Sequence, residues 1–433
     1  MKKALSFALV LLLVTGLFAG GGKEETSSSS TGPVIKSNLV IGVAQEINEQ
    51  NPMMQNDQIN NNCFALTHER IIFVDGNNGY EIKPEIAESW EWTDDTHLVF
   101  HLRKNIHFNN GTPLTAEDVV FTYNRARTND ANVSKVSGTL TLIEDVKALD
   151  DYTVEITTSE YSNELIYSFG AYPLAIQSKA AYEDPNNKEP WLVGSGPYVF
   201  KEWKEGQYVT FSKAPDYWNA AEEPAVAEEI TFKFLLEASQ RAIALQNGEI
   251  DVCIDPPTTD LQFLEEDKNV EVYTRAGTRL FYMGFNVSKA PFDNQKLRQA
   301  VSCAIDKETI IDIVLDGRGQ WQTSVLNRGA WSFLDNDEVE GGYAYDVERA
   351  KALLAEAGYK PGELTVELVA ATDDPYTTIA PIIQANLKEI GINVTIKSMD
   401  QATLKVECAN GHQQMFLWRW NIGARVDETY REL

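Results

Sequence analysis

Histidines and carboxylates are the residues of this 433-residue chain whose chemistry could serve catalysis or metal binding. Of the five histidines, only His97 and His101 show a regular spacing. In a strand-like segment a separation of four puts both side chains on one face, because side chains alternate along a strand. We interpret them as ordinary surface histidines of a sheet. Counting does not exclude a glycosidase-like acid/base pair, since 64 acidic residues bring carboxylates together by chance.

The short motifs by which common enzyme classes assemble their reactive groups are missing from the sequence. There is no G-x-S-x-G, no H-E-x-x-H and no phosphate-binding glycine loop. The cysteines form no C-x-x-C pattern and are flanked by apolar or small residues, which predicts buried thiols rather than a zinc or redox site. We therefore expect no enzymatic activity, no cofactor and no metal. The cysteines are Cys63, Cys253, Cys303 and Cys408.

Aromatic side chains near the end of the sequence are candidates for stacking on a ligand. Trp418 and Trp420 stand two apart in a strand-like run, so they face the same side and could both line a binding cleft. The alternative is that one or both fill the core of their domain. Trp331, in a loop-like stretch, is a similar candidate. Glu46 is a candidate charge partner for a ligand, with a solvated loop carboxylate as the alternative.

The elements that must position these residues form a mixed α/β pattern. Thr115 is a predicted helix N-cap, and Asp346 begins the clearest helix, which Gly358 ends. A further helix is expected near 382–389. Because a chain of this length usually forms more than one hydrophobic core, we expect two or more lobes. The predicted strands cover 39–43, 98–102, 153–157, 229–234, 365–370 and 393–397.

The N-terminus has the layout of an export signal. A positive start is followed by an apolar run over 4–18, which is short for a membrane span, and by small residues over 19–22. We predict a signal peptide over 1–21 and a flexible linker over 22–36, with an N-terminal anchor helix as the alternative. The predicted location is extracytoplasmic, in the periplasm or at the cell surface. The net charge of −27 argues against nucleic acid and anionic lipid as partners.

Short motifs follow one another along most of the chain. They are PEIAESW (84–90), NGTPLTAEDVVF (110–121), GSGPY (194–198), PDYW (215–218), GEIDV (248–252), FN (285–286), PFD (291–293), LRQAV (297–301), AID (304–306) and KALLAEAG (351–358). In this order they resemble the peptide- and nickel-type solute-binding proteins of ABC importers, family 5. Their composition is typical of turns, helix caps and strands, so we assign these motifs an architectural role.

The resemblance implies a two-lobed α/β fold of the type II periplasmic-binding-protein kind, with an extra accessory domain in the larger lobe. The predicted domains are 37–75 with 194–284 for the larger-lobe sheet domain, 76–193 for the inserted accessory domain and 285–433 for the smaller lobe. Such proteins enclose a small solute by hinge closure and deliver it to an ABC permease. We expect a monomer that binds an oligo- or dipeptide.

The resemblance also implies where the ligand is bound. The loop with Gln45 and Glu46 matches the segment that supplies main-chain contacts on the larger lobe, and 416–421, with Arg419, matches the late strand that supplies them on the other. Many peptide binders follow that strand with an aspartate for the ligand's ammonium group. Asn421 stands nearest to this position, which raises an oligosaccharide or other neutral solute as an alternative. A ligand sensor outside transport is a further alternative, because a fold does not fix its use.

Two departures from the family pattern concern the ends of the sequence. Gly21 occupies the place of the cysteine that carries a lipid in many relatives, and no cysteine precedes Cys63, so we expect no lipid anchor. Family members usually continue for roughly 80 to 120 residues beyond the late strand, which fits the usual size of such lobes. We therefore expect the C-terminal lobe to be truncated in this sequence, as a fragment or as a short form.

Overall fold

The computed structural model describes residues 36–54, 57–275, 277–326, 328, 333–336, 338–339 and 343–421. The described residues form two compact units. The first unit contains the residues up to 75 and 81–273, and the second contains 76–80 and the residues from 274 onward. The predicted signal peptide, and the predicted linker apart from Lys36, lie outside the described residues.

Strands and helices alternate in both units, so the predicted mixed α/β class is confirmed. The strands of the first unit are β1 (Asn38–Val43), β2 (Ile72–Asp75), β3 (Glu81–Pro84), β4 (Ala87–Trp92), β5 (His97–Leu102), β6 (Ile143–Asp150), β7 (Thr153–Thr158), β8 (Tyr198–Lys204), β9 (Tyr208–Lys213), β10 (Glu229–Phe234) and β11 (Val252–Cys253). Its helices are α1 (Gln58–Thr67), α2 (Ala116–Ala126), α3 (Leu165–Ser168), α4 (Lys179–Glu183), α5 (Ala238–Gln246) and α6 (Leu261–Glu266). The second unit has strands β12 (Arg279–Phe285), β13 (Leu364–Ala371), β14 (Ile392–Met399) and β15 (Met415–Asn421), and helices α7 (Gln295–Ala304), α8 (Lys307–Leu315), α9 (Val347–Glu356), α10 (Tyr376–Glu389) and α11 (Gln401–Ala409).

A five-stranded sheet of the first unit has the strand order β11-β1-β10-β9-β8. β1 is parallel to both β10 and β11, whereas β9 is antiparallel to both β10 and β8. Every second residue of β10 is buried, as its alternating sequence EITFKF predicts. Val43, Tyr198, Phe211 and Phe232 lie in the core against this sheet. The predicted strands over 39–43 and 229–234 are therefore confirmed.

The second sheet of the first unit is antiparallel, with the order β4-β5-β7-β6. Phe100 of β5 and Tyr123 of α2 are fully buried, and their rings contact the ring of Phe169 with centroids 5.4 and 5.2 Å apart. Helix α2 begins after Thr115, as predicted. The backbone N–H and the hydroxyl of Thr115 both donate to the Asp118 carboxylate, which fixes the first turn in the manner of a capping box.

The sheet of the second unit has the order β12-β15-β13-β14. β13 is parallel to β14 and to β15, and β12 runs antiparallel to β15. Helix α9 begins at its predicted cap, where the Asp346 carboxylate accepts the backbone N–H of Arg349 at 2.9 Å. The chain leaves this helix through Gly358, whose φ of +91° favours glycine. Ala350 and Leu354 bury one side of the helix in the core of the unit.

Helix α10 begins at Tyr376, earlier than the start near 382 that the sequence predicts. Pro381 locally disfavours a helix through this position, because proline lacks a backbone N–H and crowds the preceding turn. In the structure Pro381 lies inside the helix on its exposed side, where bending away from the core is tolerated. Ile379 and Ile383 bury the opposite side, and this burial holds the first turns in place.

Strand β12 spans the position 284/285 at which the sequence places the start of the smaller lobe. Every residue of β12 pairs with β15, so the whole strand belongs to the second unit. Residues 76–80, assigned from the sequence to the accessory domain, also belong to the second unit, where the Arg275 guanidinium donates to the side chain of Asn77. The division into a larger lobe, an accessory domain and a smaller lobe stays a prediction.

The cysteines are free thiols. Cys63 and Cys303 are buried, and Cys253 and Cys408 are partly buried. Burial raises the pKa of all of these thiols, which makes them weak nucleophiles and weak metal ligands at neutral pH. Within the described residues, no helix has both the length and the apolar character needed to cross a bilayer.

Candidate functional site

The late strand predicted to contact the ligand is β15, which pairs with β12 along its whole length. Met415 and Leu417 point into the core, with 0% and 4% of their surfaces exposed. Trp418 and Trp420 lie on the opposite face of the strand. Trp418 pairs with Tyr282, and Trp420 pairs with Leu280. The prediction that both indoles share one face is confirmed by this register. Their contact with a ligand stays a prediction.

The two tryptophans differ in their surroundings. Trp418 is half-buried and packs at the margin of the hydrophobic core of the second unit. Trp420 is also half-buried, but among the described residues it is not part of that core. Trp418 therefore contributes to the packing of the second unit whether or not it contacts a ligand. Trp420 contributes less to this packing. The third candidate, Trp331, lies outside the described residues.

The second half of β15 is paired on one side only, because its ladder with β13 is short. This ladder covers only the pairs Leu368–Met415 and Val369–Phe416. From 417 to 421 the main chain pairs with β12 on one side, and no described strand pairs with its other side. Main-chain N–H and C=O groups exposed along a strand edge can pair with a further extended chain.

Arg419 and Asn421 complete the predicted set on this strand. Arg419 is half-buried and pairs across the ladder with Phe281. The backbone of Asn421 pairs with that of Arg279, while the side chain of Asn421 lies outside what the structure describes. Since Phe281 and Arg279 stand two apart on one strand, both arginines project from the same face of the sheet.

Gln45 and Glu46 lie in the first unit, in the loop that follows β1. Gln45 is exposed. One oxygen of the Glu46 carboxylate, Oε1, accepts the indole N–H of Trp203 at 2.9 Å and the backbone N–H of Gly206 at 2.8 Å. Gly206 has φ +70° in the turn between β8 and β9. Glu46 is therefore not a solvated loop carboxylate, because it attaches the loop to this turn; its role as a charge partner for a ligand stays a prediction.

A buried polar cluster around Glu69 is the feature of the first unit that the sequence did not indicate. The Glu69 carboxylate accepts the Tyr217 hydroxyl at 2.7 Å and the indole N–H of Trp218. Burial, together with the negative charge of Glu85, raises the pKa of Glu69 to about 8. The hydrogen bonds that Tyr217 and Trp218 donate oppose this rise but do not cancel it. The PDYW string, which the sequence identified only as a fold motif, was the feature that could have indicated this cluster.

The glycines of the GSGPY string have a steric role beside this cluster. A Cβ atom added to Gly194 would lie 2.0 Å from the carbonyl oxygen of Thr67, and one added to Gly196 would lie 2.6 Å from that of Leu66. Only glycine permits so close a backbone approach. The end of helix α1 therefore packs directly on the string, which confirms an architectural role.

Each of the two histidine candidates pairs with a carboxylate at the surface of the β4-β5-β7-β6 sheet. His97 Nδ1 lies 2.9 Å from Asp94 Oδ1 in the turn between β4 and β5. His101 Nε2 lies 3.8 Å from Glu91 Oε1 on the surface of the same sheet. In the part of the chain that the structure describes, no group of three or more His, Cys, Asp or Glu side chains is arranged to hold a metal ion.

Comparison with known proteins decides the family. The family model described as bacterial extracellular solute-binding proteins, family 5 middle, matches residues 81–433. The chain belongs to family 5 of the bacterial extracellular solute-binding proteins. Members of family 5 are solute-binding proteins and not enzymes, so the expectation of a binding protein is confirmed.

The family 5 relatives include proteins with different ligand names. Heme-binding protein A of Haemophilus influenzae is 31% identical over 371 residues, which cover 79% of this chain and 66% of that protein. The solved structure of HbpA2 from Haemophilus parasuis matches with a TM-score of 0.79 and 27% identity, over 89% of this chain and 80% of that chain. DppA from Helicobacter pylori, solved with the peptide STSA, matches with a TM-score of 0.70 and 25% identity, over 92% of this chain and 80% of that one.

These family 5 matches confirm the predicted periplasmic-binding-protein fold. The chain spans about two thirds of the length of the curated relatives it matches.

Proposed function

We propose that the chain is the extracytoplasmic solute-binding component of an ABC importer, which encloses an oligo- or dipeptide and delivers it to the permease. The family match over 81–433 supports the binding role, and the peptide-bound relative from Helicobacter pylori supports the ligand class. The protein acts as a monomer in this proposal. It needs no cofactor, because enclosure of a solute between lobes is a binding equilibrium without a chemical step.

The unpaired side of β15 is the observation that favours a peptide. An extended peptide can align with the main chain of 417–421 as an additional strand, and its backbone then supplies the hydrogen bonds that β13 does not. Main-chain recognition of this kind is independent of the ligand's side chains. The proposal therefore predicts tolerance of peptide sequence, with specificity from neighbouring groups such as the Trp420 indole.

Titration of the purified protein with solutes tests the proposal. The panel contains peptides of two to nine residues, oligosaccharides and hemin, and thermal unfolding is followed with each. A ligand present at 100 times its Kd stabilises the folded state by about 2.7 kcal/mol. We expect peptides to raise the unfolding temperature and to be recovered intact. Hydrolysis of a bound ligand, abolished by one carboxylate substitution, would contradict the proposal.

A neutral solute is the second candidate, favoured by the uncharged residue Asn421 where the family resemblance expects an aspartate. Stabilisation by oligosaccharides and not by peptides would select it. The third candidate is a ligand sensor outside transport, and the neighbouring genes distinguish it from a transport component. A neighbouring permease and ATPase, and ligand uptake that depends on them, support transport.

A further inference from the structure

Asparagine followed by glycine occurs at four places in the chain, and this dipeptide has a chemistry of its own. The backbone nitrogen of the glycine can attack the side-chain amide carbon of the asparagine, because glycine has no side chain to shield that nitrogen. The attack closes a succinimide ring and releases ammonia. Water then opens the ring and leaves an aspartyl or an isoaspartyl residue. The asparagines are Asn78, Asn110, Asn247 and Asn410.

The hydrogen bond of the glycine N–H controls whether this reaction can start in the folded protein. The nitrogen attacks only after it has lost its proton and has turned toward the asparagine side chain. A hydrogen bond to a backbone carbonyl opposes both steps, because it retains the proton and fixes the direction of the N–H. A site held in this way reacts only after the structure has opened locally.

Two of the sites lie at the C-terminal ends of helices. Asn247 is the cap of α5 and Asn410 is the cap of α11, and both keep a helical backbone conformation. The N–H of Gly248 and that of Gly411 each donate to the backbone carbonyl three residues earlier, at 3.0 Å. These bonds belong to the turns that end the helices, so both nitrogens are held.

The third site is in the turn before α2. The N–H of Gly111 donates to the backbone carbonyl of Phe108 at 2.8 Å. The side-chain oxygen of Asn110 accepts the backbone N–H of Thr112 at 3.0 Å and its hydroxyl at 2.7 Å. Both the attacking nitrogen and the side chain that it would attack are therefore held in place.

Asn78 differs from the other three in the state of the glycine that follows it. It lies in the loop 76–80 between β2 and β3, where Asn78 and Gly79 are both exposed. The N–H of Gly79 donates to no residue that the structure describes. Its nitrogen can therefore lose a proton to water without any local opening of the fold.

The surroundings of Asn78 determine what a change at this position does. The neighbouring side chain of Asn77 accepts a hydrogen bond from the Arg275 guanidinium. An aspartyl or isoaspartyl residue at 78 places a negative charge beside this contact. An isoaspartyl residue also lengthens the main chain by a methylene group, in a loop whose ends are fixed by the pairing of Asp75 with Glu81. The changed loop differs in charge and in length.

We propose that Asn78 is a modification site of this protein, at which the nitrogen of Gly79 converts the asparagine to aspartyl and isoaspartyl residues. The bond from this nitrogen to the Asn78 side-chain carbon forms as the bond to the amide nitrogen breaks. Ammonia leaves with the proton that the glycine nitrogen loses, and water is consumed when the ring opens. The step needs no oxidant, metal or enzyme. The inference goes beyond the proposed function, because it does not depend on the solute.

Peptide mapping by mass spectrometry tests the inference on the full chain after incubation at mildly alkaline pH. One sample is kept folded and a parallel sample is kept unfolded in urea, where every glycine N–H loses its partner. Methylation by an isoaspartyl methyltransferase identifies the isoaspartyl product. The variant is Asn78→Gln, because the longer glutamine side chain closes such a ring slowly. Asn77→Gln is the matched control in the same loop, and thermal unfolding verifies that both variants are folded.

In the folded protein we expect position 78 to be converted about five to ten times faster than each of the other three, as the loss of one hydrogen bond allows. In urea the rates at all four positions should become similar. Ion exchange should separate a more acidic form from the aged wild type and from aged Asn77→Gln. Aged Asn78→Gln should give no such form.

Three results would overturn the inference. Equal conversion at the four positions in the folded protein would show that the partner of the glycine N–H does not control the reaction. The same preference for position 78 in urea would show that the local sequence, and not the fold, causes it. Appearance of the same acidic form in aged Asn78→Gln would place the modification at another residue.

Discussion

The Trp218 indole donates a hydrogen bond to the buried carboxylate of Glu69, and 149 residues separate the two in sequence. Tyr217 donates to the other carboxylate oxygen, at 2.7 Å. The pair of aromatic residues thereby attaches the segment after β9 to the segment after α1. The two aromatic residues of the PDYW string thus hold the Glu69 side chain, and this contact explains the string's architectural role better than turn composition does.

Glu69→Gln is expected to change how stability depends on pH. The pKa of Glu69 is about 8 in the folded protein and 4.5 ordinarily. Between these values the folded state holds a proton that the unfolded chain releases, so the free energy of unfolding falls as pH rises, by up to about 1.4 kcal/mol per pH unit. The glutamine keeps an acceptor oxygen and does not titrate. Unfolding temperatures measured from pH 5 to pH 9 should therefore fall for the wild type relative to the variant.

The control for this experiment is Glu205→Gln, an exposed glutamate in the turn between β8 and β9. Its difference from the wild type should not vary over the same pH range. A constant offset between wild type and Glu69→Gln from pH 5 to pH 9 would show that Glu69 does not hold a proton in the folded state.

Local signals in the sequence were enough to predict the elements that have their own caps. The Thr115 cap, and Asp346 with Gly358, are short-range patterns. Helices α2 and α9 begin where the caps predict, and α9 ends just before Gly358. The start of α10 was missed because burial of residues on one side outweighs the local effect of Pro381.

The site was harder to predict from sequence than the fold. Trp418 and Trp420 were assigned correctly to one face, since that follows from spacing alone. The partners of Glu46 are 157 and 160 residues away, and no local pattern indicates them.

Trp418→Ala and Trp420→Ala are expected to separate stability from binding. Trp418 packs against the core of the second unit, so its removal should lower the free energy of unfolding by about 1–3 kcal/mol. Trp420→Ala should affect unfolding less and should weaken peptide binding, by the about 0.5–1.5 kcal/mol typical of aromatic contacts. Denaturant unfolding and calorimetric titration measure the two effects. Equal loss of stability in both variants would contradict the distinction.

Gly284→Ala is expected to disturb the contact between β12 and β15. A Cβ atom at this position would lie 2.3 Å from the ring of Phe416, which covers the glycine across the ladder. Overpacking of this kind costs about 1–3 kcal/mol, and the ring must move. The unfolding temperature should fall, and the double variant with Phe416→Leu should recover part of it. Gly138→Ala, which would meet no atom within 4 Å, is the matched control and should unfold like the wild type.

Arg241→Lys is expected to destabilise the first unit although it preserves the charge. The Arg241 guanidinium is buried and donates to the carbonyls of Leu235 and Leu236 before α5 and to those of Ile254 and Asp255 after β11. A lysine ammonium is a compact group with three donors on a single nitrogen, so it cannot span both segments. Buried carbonyls left without a donor cost about 1–3 kcal/mol each.

The free energy of unfolding of Arg241→Lys should therefore fall by about 3 kcal/mol, measured by denaturant titration. Arg127→Lys is the matched control, because Arg127 donates to one carbonyl, that of Glu144, which a lysine can also reach. That control should lose only a few tenths of a kcal/mol, as for other surface substitutions. If Arg241→Lys were as stable as the control, this position would require the positive charge and not the several N–H donors of a guanidinium group.

Arg241→Lys should also loosen the turn at Asp255, whose φ is +51°, because the carbonyl of Asp255 loses its donor. Amide hydrogen exchange at 252–256 would detect this change.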